Sequence, residues 1–151
     1  MSNLSRFQWL QEYSQLEHDI KFLEWNIRKS EHEYQRWAGG DLTNVRIVKE
    51  SKAAHLEEDI DSLQRELEWR RQALSDLLEL IDSFDGIEEQ ILRKKYIEGE
   101  SLEQIASDND VHYALSYIQK KHSELHRRLN WLDNWDEKKY DNQVMSDEQL
   151  R

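Results

Sequence analysis

The run SYIQKKHSELHRRL, from Ser116 to Leu129, holds the side chains with the clearest chemistry in this chain. Read as a helix, it buries Leu115 or Ile118, then Leu125 and Leu129. Its other face carries Gln119, Lys120, Lys121, His122, His126, Arg127 and Arg128 against a single acid, Glu124. Lysine and arginine attract phosphate, whereas glutamine and histidine can bond base edges, so this pattern suits contact with duplex DNA. On this reading Gln119 and His122 face bases, and the cations hold the backbone. Metal binding is the competing chemistry, because His122 and His126 stand at i,i+4. A hydrolytic zinc helix of that spacing also needs a glutamate at position 123, where Ser123 stands, and no third ligand is suggested; no metal and no cofactor are expected. The acidic run Glu57 to Asp59 reads as an exposed helix face rather than a catalytic pair. With four glycines, no phosphate-cradling loop and no nucleophile motif, the chain is not expected to be an enzyme.

Three elements are needed to present such a helix: a lead helix, a positioning helix and the recognition helix itself. Ile87 to Ile97 supplies the first, burying Ile91, Leu92 and Tyr96. Its Arg93, Lys94 and Lys95 are candidates for DNA backbone contacts. Gly99 ends it, and Ser101 caps the next helix with Gln104 at capping-box spacing. Leu102, Ile105 and the small Ala106 face inward. SDNDVH forms the turn, anchored by Val111, and the third helix runs from about Tyr113 to Leu129. Asp85 and Glu88 also have capping-box spacing and would start the lead helix after DSFDG.

The rest of the chain bounds the class. The net charge is −11 over 151 residues, 35% of which are charged, and there is no proline and no cysteine. That excludes disulfides and thiolate metal sites and suits long helices with narrow buried seams. From Ile87 to Leu129, seven Lys/Arg face eight Asp/Glu, so the acidity belongs to the flanks. No apolar run has membrane length and the first residues lack a signal-peptide pattern; a soluble cytoplasmic protein is expected.

Upstream, a capping box at Ser5 and Gln8 with a Leu4–Trp9 staple predicts a helix start. Phe7, Leu10, Tyr13, Leu16, Ile20, Leu23, Ile27, Tyr34 and Trp37 form its stripe, and Gly39-Gly40 ends it. Asp41, Thr43 and Asn44 compete to cap the second helix. Its seam reads Leu56, Ile60, Leu63, Leu67, Arg70, Leu74, Leu77 and Ile81. Two single-striped helices joined by a short loop should pack as an antiparallel hairpin. Off the stripes, Trp9, Phe22, Trp25 and Trp69 either widen that face or meet a partner, another copy included. The expected fold is all-α, with a coiled-coil-like hairpin over 1–82, a helix-turn-helix module over 83–132 and a polar tail over 133–151.

ILRKKYIEGESLEQIA followed by SYIQKKHSEL resembles the promoter-reading C-terminal domain of bacterial sigma factors. A heptad-patterned helical pair ahead of such a module resembles small phage and prophage transcription regulators of the RinA, ArpU and LtrC type. The resemblance implies a sequence-specific regulator in a bacterial host, acting on double-stranded DNA beside RNA polymerase, as a monomer or as a homodimer through the hairpin. The pattern departs from that family in its turn. Asn109-Asp110 stands where Leu-Gly is usual, and Ile118 falls about two residues late for the buried aliphatic, which implies a lengthened turn. Two other readings fit the same elements: a phage DNA-packaging subunit of small-terminase type, and a helical adaptor or inhibitor that binds protein and no DNA.

Overall fold

The computed structural model describes residues 4–38 and 46–149. Its elements are α1 (Arg6–Gln11), α2 (Tyr13–Ala38), α3 (Arg46–Asp82), α4 (Ile87–Leu92), α5 (Leu102–Ser107) and α6 (Leu115–Gln149). A π-helical turn, Arg93–Ile97, continues α4. The fold is all-α, with no strand among the described residues. None of its described helices is long and apolar enough to cross a membrane. Gly39-Gly40 and the candidate caps Asp41, Thr43 and Asn44 lie outside the described residues.

The chain forms two compact units, residues 15–76 and residues 1–14 with 77–151. The expected boundary lay at residue 82. The N-terminal residues do not belong wholly to the long helices that follow them. The first helix is also not continuous: a turn at Glu12 separates α1 from α2.

In the unit of residues 15–76, α2 buries Leu16, Ile20, Leu23 and Ile27. On α3, Leu67 is buried while Leu56, Ile60, Leu63 and Leu74 are half-buried, so the seam is narrow. Arg70 interrupts the apolar stripe and binds Asp19 and Glu66, each at 3.0 Å. Arg71 reaches Glu24 at 3.0 Å, and the Tyr34 hydroxyl donates to Glu57 at 2.5 Å. Partners thus pair in opposite order along the two helices, early α2 with late α3. Phe22 and Trp25 do not widen the seam; they are 53% and 50% exposed.

In the other unit, α1 begins at the expected capping box: the Gln8 amide donates to Ser5 Oγ at 3.2 Å and the Ser5 amide to Gln8 Oε1 at 2.9 Å. Leu10 and Tyr13 are buried together with Leu77, Ile81, Phe84, Ile91, Leu92, Tyr96, Ile105, Val111, Ile118, Leu125 and Leu129. Burying each large aliphatic side chain contributes roughly 1.5–3 kcal/mol.

The start of α4 corrects the sequence reading. Its cap is Gly86, at φ +60°, with no side-chain hydrogen bond, so Asp85 does not cap. A positive φ is a conformation that glycine alone adopts at little cost, and it sets the start one residue later. Glu88 is taken instead by Arg128, as described below. At the far end, the Glu98 amide reaches back to the Arg93 carbonyl at 3.0 Å, closing the π turn, and Gly99 at φ +76° ends the helix. Ser101 then caps α5. Its Oγ accepts from the Gln104 amide at 3.1 Å and its own amide donates to Gln104 Oε1 at 2.8 Å. Such a cap is worth about 1 kcal/mol.

Seven residues, 108–114, separate α5 from α6, and α6 starts at Leu115 rather than near Tyr113. Ile118 is fully buried and Ser116 is exposed. α6 also does not stop at Leu129; the expected polar tail over 133–151 is helical to Gln149. No glycine or proline follows Gly99 to break it. Arg6 also grips it from α1, binding Asp133 at 2.6 Å and Asp136 at 2.5 Å.

Candidate nucleic-acid interface

The side chains proposed for DNA contact divide by what they touch. Gln119, Lys120 and Arg127 are exposed and make no hydrogen bond or ion pair among the described residues. Ser116 and Ser123 are exposed on the same ridge, at three- and four-residue spacing from Gln119, Lys120 and Arg127. Neither serine is among the residues expected from the sequence to contact DNA. Their helical spacing was the available signal, but small neutral side chains do not stand out among cations. The ridge lies opposite Ile118 and Leu125 and holds no acid.

The other cations are bound to the protein itself. Arg128 makes a forked pair with Glu88, at 2.7 and 3.2 Å, which raises its pKa. Lys121 is half-buried over the Tyr117 ring at 5.7 Å and pairs with Glu124 at 3.5 Å; both neighbours raise its pKa, Tyr117 the more. Arg93 binds Asp82 and Glu89. Lys94 bridges Asp108 at 3.1 Å and Asp110 at 3.2 Å, tying the turn after α5 to the lead helix. The hydrogen bond to Asp108 dominates its raised pKa. Lys95 is half-buried over the Tyr96 ring. Arg93 and Lys94, expected to contact the DNA backbone, thus make ion pairs within the protein.

Glu100 adds to the Lys94 corner. Burial, then a hydrogen bond with Asp108, pushes its carboxyl above the usual range. Asp108 is pulled below that range, first by Lys94 and then by Glu100.

The two histidines also touch other side chains of the protein. His122 Nε2 lies 2.7 Å from the Tyr96 hydroxyl, so His122 points inward rather than at bases. Phe7 of α1 stacks on His126 with ring centroids 3.9 Å apart and stands 6.1 Å from His122 and 6.0 Å from Tyr96. His126 is exposed, but this stack holds its ring. Among the described residues no group of three potential metal ligands comes together, and His122 Nε2 is already occupied by the tyrosine.

Burial lowers the pKa of His122 first, and Lys95 and His126 lower it further. His122 Nε2 and the buried Tyr96 hydroxyl share one hydrogen bond, and burial pushes the pKa of that hydroxyl up. A base whose folded pKa is depressed contributes stability above its unfolded value of about 6.5 and loses it as pH falls through the folded value. The melting temperature should therefore drop from pH 7 to pH 5. In His122→Gln, which keeps an acceptor but cannot titrate, that drop should shrink. Parallel thermal melts across this range check it; identical slopes for the two proteins would remove His122 as the cause.

Comparison with protein families, with characterised proteins and with solved structures gives no match, so the functional reading rests on this geometry.

Proposed function

We propose that α4, α5 and α6 form a helix-turn-helix that reads duplex DNA, following in sequence an antiparallel hairpin of α2 and α3, in a transcription regulator of phage or prophage type. One observation carries the reading. The outward ridge of α6 presents Ser116, Gln119, Lys120, Ser123 and Arg127 with no acid among them, in a chain of net charge −11. Lys120 and Arg127 neutralise phosphates on this reading. Gln119 and Ser123 read base edges, Ser123 taking the place of the inward His122. The hairpin serves as the face for RNA polymerase or for a second copy.

The test is duplex binding across several salt concentrations, on a selected site and on scrambled DNA. Lys120→Ala and Arg127→Ala should each lower the slope of log affinity against log salt by about 0.9 and weaken both DNAs alike. Gln119→Ala should cost about 1–3 kcal/mol on the selected site only. His122→Gln should leave base preference unchanged.

A second reading, a protein-binding adaptor, is favoured by one observation: Phe22 and Trp25 lie half-exposed beside one another on α2, ring centroids 6.0 Å apart. Absence of duplex binding at low salt would move the conclusion to that reading. Ring-sized assemblies in solution would move it to a packaging subunit.

A further inference from the structure

Past Leu129, α6 turns two tryptophans toward solvent. Trp131 and Trp135 are 59% and 56% exposed, and their rings lie parallel within 13° with centroids 5.7 Å apart. Leaving two such large apolar rings in water is costly unless they bind something.

Their neighbours indicate what. One helical turn before Trp131 stand Arg127 and Arg128; one turn after Trp135 stand Lys138 and Lys139, all four exposed. Arg128 is held by Glu88, but Arg127, Lys138 and Lys139 make no ion pair among the described residues. The acids of this stretch lie on other faces. Asp133 and Asp136 are bound by Arg6, and Glu137 and Asp141 line a groove with Leu4 and Ser5 at the start of α1. The tryptophan ridge is thus bracketed by positive charge at both ends and complements an anion carrying flat apolar faces.

We propose that this ridge binds an unpaired nucleic-acid strand, with bases stacked on Trp131 and Trp135 and phosphates along Arg127, Lys138 and Lys139. A duplex hides its base faces, whereas every unpaired base offers one, so stacking on tryptophan tolerates sequence. The ridge is distinct from the duplex-reading face, sharing only Arg127 with it, and does not depend on that reading. A strand here would lie along the same helix as a duplex on the α6 ridge, as opened DNA beside a bound site requires.

The experiment uses the full chain and a fluorescent oligothymidylate of ~15 nucleotides, a length within the range such surfaces cover, followed by anisotropy at low salt. The parent should bind saturably. Trp131→Ala with Trp135→Ala should weaken binding at least tenfold at an unchanged melting temperature. The double phenylalanine variant should recover part of the loss, because it restores stacking faces. Lys138→Glu with Lys139→Glu should also weaken binding and flatten its salt dependence, whereas Lys120→Ala should leave it unchanged. Weakened duplex binding in Lys120→Ala with oligothymidylate binding intact separates the two faces. No binding by the parent, or equal binding by the double alanine variant, overturns the proposal. A parent that sedimentation shows as a dimer, with a monomeric alanine variant that binds the oligonucleotide as before, would assign the ridge to self-association instead.

Discussion

Ile118→Asp should unfold the unit formed by residues 1–14 and 77–151, and Ser116→Asp should not. Ile118 is completely buried, as is Ile105, with Leu125 and Leu129 each 1% exposed. Losing a large aliphatic from such a core costs roughly 2–5 kcal/mol, and the carboxylate must be dehydrated or protonated as well. That total is comparable with the whole stability of an ordinary domain, about 5–15 kcal/mol. Ser116 lies two residues earlier on the outward face, where a substitution usually changes stability by no more than ~0.5 kcal/mol. Urea denaturation followed by circular dichroism distinguishes them. The pair also tests the register of α6, because a turn shorter by two residues would place Ser116 in the core. Two variants of similar stability, or the reverse order, would show that α6 is rotated from the position described.

The second large effect is expected at the other end of the chain. Leu10→Ala, in α1, should destabilise the same unit by roughly 2–5 kcal/mol, because Leu10 is 1% exposed. Amide exchange should then quicken in α6, which α1 grips through Phe7 on His126 and Arg6 on Asp133 and Asp136. Phe7→Ala should speed the same amides to a smaller extent, since Phe7 is only half-buried. If Leu10→Ala loosens α2 and leaves α6 as protected as before, α1 belongs with the unit of residues 15–76.

What was legible in the sequence is what short-range rules control. The capping boxes at Ser5 and Ser101 and the end of the lead helix at Gly99 depend on residues within one turn. The burial of Ile91, Leu92, Tyr96, Ile105 and Val111 follows from helical spacing and from a single anchor in the turn. The choice of Ile118 over Ser116 as the buried residue was legible too, because the two cannot both face the core. What was missed came from long-range partners. Asp85 and Glu88 have the spacing of a cap, but Arg128 takes Glu88 from forty residues away, and the positive φ of Gly86 sets the start of α4. His122 has the spacing of a base-reading residue, yet Tyr96 and Phe7 draw it inward. Lys94 looks like a phosphate contact until two acids of the turn surround it. The segment after Leu129 loses its apolar period, and its helix is held by an arginine near the start of the chain.

That arginine has a consequence for synthesis. Arg6 and Asp133 are 127 residues apart, and at a ribosomal rate of about 5–20 residues per second α1 leaves the ribosome many seconds before its partner helix exists. Until then the apolar side of α1 has nowhere to dock, and closing so long a loop must precede any gain from the contact. A nascent chain or early-terminated product that has reached residue 110 possesses α1, α4 and α5 but no α6 to join them. The core that holds Leu10 and Ile105 closes only when translation has passed Leu129, so incomplete products leave both side chains open to proteases and chaperones.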